Sequence, residues 1–152
     1  MIHVTNQDLI KWQEEYDCDL MPPARRELIE EAKKELSPFP PELEEFYSLT
    51  NGLSCDWFSI LPIEDPKDIK KTWDGIKRAN IKDTTKFLND YIEAYPNFLN
   101  DFLIFADIGG MECAVFKKKN FSIWYQDAEG LNQTNLNLKE FIHTVLREVQ
   151  EL

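Results

Sequence analysis

The side chains able to do acid–base or nucleophilic chemistry are few and poorly spaced for it. Only two histidines occur, His3 and His143. His3 lies beside the N-terminus, and His143 sits one position past the apolar stripe of the last expected helix, where packing or solvent contact is the ordinary role. A Ser/His/Asp triad is defined by geometry, so sequence order does not decide it, but no strand–turn–helix nucleophile motif is present. The cysteines Cys18, Cys55 and Cys113 lack the paired Cys/His spacing of a zinc site, and their odd number fits no disulfide framework. Cys113 falls in an expected strand and reads as a small buried hydrophobe. The sequence therefore predicts a protein that is not an enzyme, with no catalytic residues, metal or cofactor.

Gly109-Gly110 is not a phosphate loop, because no lysine follows, no helix opens after it, and its flanks are Asp107 and Glu112. Those two carboxylates pair across a turn, as a glycosidase would require, yet flanking a hairpin they read as polar turn residues. Lys117-Lys118-Lys119 is a basic turn, too short and too enclosed by acid for a nucleic-acid patch. A different chemistry is suggested by aromatics beside acids: Trp57, Trp124 and Tyr125 with Asp107, Glu112, Asp127 and Glu129. Exposed aromatic anchors among carboxylates suit a basic protein partner, and these seven residues form the expected partner-binding rim. Against this, with 4 Trp, 5 Tyr and 10 Phe, most aromatics must fill the core.

The elements that position these residues centre on FLIFADIGGMECAVFKKKNFSIWYQD, residues 102–127. It reads as three strands, with Gly109-Gly110 as a two-residue hairpin turn, Met111 to Phe116 returning, and Phe121 to Tyr125 third. Phe102 to Phe105 is apolar enough to predict burial on both faces. Asp56 to Leu61 reads as a further strand in which Trp57, Ser59 and Leu61 alternate with Phe58 and Ile60, and Glu129 to Leu136 as a loop or short edge strand. Thr5 and Asp8 form a capping box ahead of a first helix with Leu9, Trp12 and Tyr16 on one face. Residues 24–36 form a second helix with Leu28, Ala32 and Leu36 inward and Arg26–Glu30 and Glu30–Lys34 at ion-pair spacing on a solvated face. Pro41 opens a third, with Leu43, Phe46, Tyr47 and Thr50 inward, which Asn51-Gly52 ends. Further helices are expected after Asp65-Pro66, with Ile69, Trp73 and Ile76 on one face, and after Asp83 or Thr84, with Phe87, Leu88, Tyr91, Ile92 and Tyr95 inward. Asn137 caps a final helix with Phe141, Val145 and Val149 on one face.

At 152 residues and 43% hydrophobic, the chain fits one globular domain, residues 1–152. Net charge is −11, of which residues 1–52 hold −7 from 12 acids and 5 bases. Such a surface repels phosphate backbones and anionic membranes but attracts basic proteins. No run approaches the roughly 18 apolar residues of a membrane span. The start, MIHVTNQDLIKWQEE, lacks the features of a signal peptide, so a cytosolic location is expected.

The succession of elements resembles the SUKH superfamily, shared by bacterial immunity proteins and a fungal cell-wall synthesis regulator. The matching stretches are LIEEAKKEL (28–36), FPPELEEFYSLTNG (39–52), WFSILPIED (57–65), LIFADIGGMECAVF (103–116), SIWY (122–125) and LKEFIHTVL (138–146). Phe39 stands where the family usually has Leu. The resemblance implies an α+β fold, with helices packed on a mixed, mainly antiparallel sheet. It further implies an immunity protein that binds and neutralises a cognate secreted toxin, often a nuclease, whose basic cleft the acidic surface would oppose. The alternative it implies is a regulatory interaction module of cell-envelope synthesis or signalling. It carries over no catalytic or partner-contact positions.

Overall fold

The computed structural model describes residues 3–72, 74–87 and 89–150. Helix α1 (Asn6–Tyr16) opens on the expected capping box, with Thr5 N–H donating to Asp8 at 2.8 Å and Asp8 N–H donating to Thr5 Oγ1 at 3.2 Å. Helix α2 (Arg26–Glu35) packs beside α3 (Pro41–Leu49), which begins on its proline and buries Leu43, Phe46 and Tyr47. The outer face of α2 is solvated as expected, but its ion pairs differ in part. Arg26 does pair with Glu30, but Glu30 then meets Lys33 at 4.0 Å instead of Lys34, and Glu44 from α3 reaches Lys33 at 2.8 Å.

Among the described residues, seven strands form one sheet in strict chain order: β1 (Asp19–Leu20), β2 (Leu53–Cys55), β3 (Phe58–Ile60), β4 (Phe102–Asp107), β5 (Cys113–Lys117), β6 (Ile123–Asp127) and β7 (Gly130–Gln133). The α+β class stands, but the mixed sheet does not. Every pairing among the described residues is antiparallel, because each connection returns the chain beside the strand it has just left.

Three strands differ from expectation for the same reason, the placement of residues with positive φ; the one expected over Phe121 to Tyr125 begins at Ile123, because Phe121 turns at φ 58. Asp56 to Leu61 is not one strand. Asp56 turns at φ 52, and Asp56-Trp57 joins β2 to β3 with Cys55 opposite Phe58, a conformation that aspartate tolerates better than most residues. The Gly-Gly hairpin is longer than two residues. Gly109, Gly110 and Met111 all take positive φ, so Ile108–Glu112 forms the loop and β5 starts at Cys113.

Phe102–Ala106 and Cys113–Phe116 are buried on both faces. One face carries α8 (Leu138–Gln150), where Phe141 meets Phe105 at 5.7 Å and Phe58 at 6.3 Å between ring centroids. Asn137 Oδ1 accepts from Glu140 N–H at 2.8 Å and caps α8 as expected. The chain between β3 and β4 packs against the sheet in short pieces, α4 (Ile69–Thr72), α5 (Ile76–Ala79), α6 (Asp90–Ala94) and α7 (Phe98–Asp101). Among the described residues, no helix is capped by Asp83 or Thr84; Asn89 caps α6 instead, accepting from Ile92 N–H at 3.0 Å. Ile69 is exposed, not inward, while Trp73 and Leu88 lie outside the described residues. Asn80 fixes this segment to the sheet, bonding both Ile104 N–H (2.7 Å) and Ile104 C=O (2.8 Å) where β3 no longer runs alongside β4.

Candidate partner-binding surface

An antiparallel meander puts alternate turns at the same end of its sheet. Here the turns at Asp56-Trp57, Ile108–Glu112 and Ala128-Glu129 share one end. Residues far apart in the chain therefore meet. Trp57 and Met111 are 38% and 53% exposed there, large apolar side chains that a solvated turn does not need.

Beside this end, a groove of about 440 Å³ separates the sheet from the C-terminal half of α8. Its sheet wall includes Trp57, Ile108, Glu112, Tyr125 and Asp127, and its helix wall Phe141, Thr144, Val145 and Glu148. The groove thus unites Trp57, Glu112, Tyr125 and Asp127 of the expected rim. The helix wall was missing from that rim, although its signal is present. Phe141, Thr144, Val145 and Glu148 follow the i, i+3, i+4, i+7 spacing of one helix face.

The other three expected residues stand apart from the groove. Trp124 follows Tyr125's neighbour rule in reverse: adjacent strand residues point to opposite faces, so Trp124 lies on the far side of the sheet. There its indole N–H donates to Ser122 Oγ at 2.8 Å, and the Lys117 ammonium sits 5.6 Å from its ring centroid. Asp107 is neutralised, with Lys86 at 2.9 Å, and it shapes the turn by accepting from Gly109 N–H at 2.8 Å. Glu129 is exposed at the β6–β7 turn. That turn is held by Asp127 Oδ1, which accepts from the N–H groups of Glu129 (2.8 Å) and Gly130 (3.1 Å).

The charge in the groove is one-sided, with Lys86 lying outside it beside Asp107. No cationic side chain lines the groove, and Glu112, Asp127 and Glu148 make no ion pair among the described residues. By contrast, a broader depression of about 710 Å³ along β1–β3 mixes Asp19 and Asp74 with Lys70 and Lys86. Beneath the Asp56-Trp57 turn, burial raises the Cys55 thiol, assisted by Asp56, Asp17 and Asp19, and pushes Cys18 up to about 12. Burial pushes Cys113 to about 12 as well. These thiols stay protonated at neutral pH, the opposite of an activated nucleophile. Among the described residues, no three His, Cys, Asp or Glu side chains are grouped to hold a metal. None of the described helices is long and apolar enough to cross a membrane.

The family model described as SMI1 / KNR4 family (SUKH-1) matches residues 23–144. The chain belongs to this family. Comparison with curated proteins and with solved structures finds no match. The SUKH match runs from α2 into the first half of α8, so it includes the sheet wall of the groove with Phe141 and Thr144, while Val145 and Glu148 lie beyond it. Membership is consistent with an immunity-type protein–protein interaction module.

Proposed function

We propose that this SUKH-family chain is an immunity protein, which binds a cognate secreted toxin in the cytosol and neutralises it by covering a basic surface. The observation that carries the reading is the sheet end itself, where exposed Trp57 borders a groove whose carboxylates, Glu112, Asp127 and Glu148, make no ion pair among the described residues, with exposed Met111 on the adjoining turn. Aromatic and Met anchors ringed by one sign of charge combine desolvated contact with electrostatic steering. A nuclease-type toxin, whose cleft must attract phosphates, presents the opposite charge, so opposing it raises both association rate and specificity. The reading assigns no reaction to the chain itself.

The test is to mix the chain with the toxic domain encoded by the adjacent gene and measure binding by calorimetry at low and high ionic strength. A stoichiometric complex that weakens with salt and abolishes toxicity is expected. No complex at low salt would sink the proposal.

A further inference from the structure

The acids of the groove differ from four acids of α2 and α3, which are neutralised. Glu30 and Glu44 face Arg26 and Lys33, and Glu31 and Glu35 face Lys77. Glu112, Asp127 and Glu148 have no such partner among the described residues, although they surround a concavity whose floor is apolar, formed by Tyr125, Phe141 and Val145. Asp127 is also held in place: its Oδ1 accepts two backbone N–H groups, which orients the carboxylate and leaves Oδ2 for another donor.

These properties select among side chains. An apolar residue entering the groove would desolvate carboxylates without pairing them, which is unfavourable. A lysine ammonium would satisfy them, but it is strongly hydrated and gains little from an aromatic floor. A guanidinium is planar and weakly hydrated, stacks on aromatic rings, and has donors at its edge for more than one carboxylate.

We propose that the groove receives an arginine side chain of the partner, its face against Tyr125 and Trp57 and its edge toward Glu112, Asp127 and Glu148. The inference rests on the reading of this sheet end as the partner-binding face.

The test titrates the isotope-labelled full chain at low ionic strength with acetyl-triarginine-amide, acetyl-trilysine-amide and acetyl-triserine-amide, followed by nuclear magnetic resonance. The arginine peptide is expected to shift Trp57, Glu112, Tyr125, Asp127, Thr144 and Glu148 saturably. The lysine peptide should bind at least roughly threefold more weakly, and the serine peptide should leave the spectrum unchanged. The double variant Glu112→Gln, Asp127→Asn, with unchanged thermal midpoint, should weaken the arginine peptide by roughly tenfold. Equal arginine and lysine affinities, shifts centred on Glu14 and Glu15 of α1, or undiminished binding by the double variant would each overturn the inference. The same variant is mixed with the adjacent-gene toxin. A complex that survives the two substitutions overturns the arginine site and leaves the immunity reading intact. Failure of the unsubstituted chain to bind the toxin overturns the immunity reading, and the peptide titration still decides whether the groove takes arginine.

Discussion

Three asparagines tie loops to the fold through their side-chain amides, Asn51 and Asn80 with both ends and Asn89 through Nδ2 alone. Asn51 donates to Ile63 C=O at 3.0 Å and accepts from Ile63 N–H at 2.8 Å, while only 4% exposed. Asn80 does the same to Ile104, and Asn89 links Met111 C=O (3.0 Å) to Gln126 Oε1 (2.8 Å). Removing one partner leaves a buried backbone group unpaired, so Asn51→Ala should destabilise by about 2–3 kcal/mol in denaturant unfolding. A loss below about 0.5 kcal/mol would show that the pair contributes little. Trp57 predicts the reverse pattern. It is exposed, so Trp57→Ala should leave the unfolding midpoint within about 0.5 kcal/mol of the parent but weaken toxin binding by roughly tenfold or more, measured by calorimetry.

At the scale of elements, the least regular stretch is the one that side-chain caps hold together. Glu64 accepts from Lys77 N–H (2.9 Å) and Arg78 N–H (2.7 Å) and so caps the four-residue helix α5 from outside it. Gly75 makes room for this, since a Cβ there would lie 2.4 Å from the Glu64 carboxylate. Glu64→Ala should cost about 1–2 kcal/mol and accelerate hydrogen exchange at Ile76–Ala79, with the sheet amides unaffected. Uniform acceleration across β4 and β5 would indicate that the cap supports the whole sheet. This dependence also explains why residues 66–95 do not form the longer helices their spacing predicts. Their apolar spacing is helical, but the chain stops and restarts wherever Glu64, Asn80 or Asn89 finds a distant partner. The helices α1, α3 and α8, by contrast, were legible because their stop signals and stripes are local: Thr5 and Asp8, Pro41, and Asn137 with Phe141, Val145 and Val149.

At the scale of the molecule, net charge −11 sets how partners approach. The association rate with a basic toxin should fall steeply with added salt while dissociation changes less, as stopped-flow fluorescence would show. A salt-independent association rate would leave the acidic surface with no steering role. High pH should destabilise the fold. Cys18 and Cys113 titrate near 12 when folded against 9.0 ordinarily, and burial raises Tyr47 well above 10.0. Between these limits the unfolded chain ionises first and the folded chain does not, so stability is intact below pH 9 and declines from there toward 12. Lys118, lowered by burial, works in the opposite direction. Chemical unfolding at a series of pH values should show the decline, and Cys113→Ala should make it shallower; an unchanged slope would remove the thiol as a cause.

The sequence by itself determined the helices with local caps, the apolar strands of the meander, the family and the sign of the surface, all of which depend on neighbours a few positions away or on composition alone. It also supplied Trp57, Glu112, Tyr125 and Asp127 as aromatic and acidic candidates. Only the tertiary structure decided that these four share a groove, that Trp124 faces the other way, that Asp107 is neutralised by Lys86, and that α8 supplies the second wall. The reason is register. A single positive φ at Asp56 and three in succession from Gly109 to Met111 fix where each turn falls, and therefore which residues reach the end of the sheet.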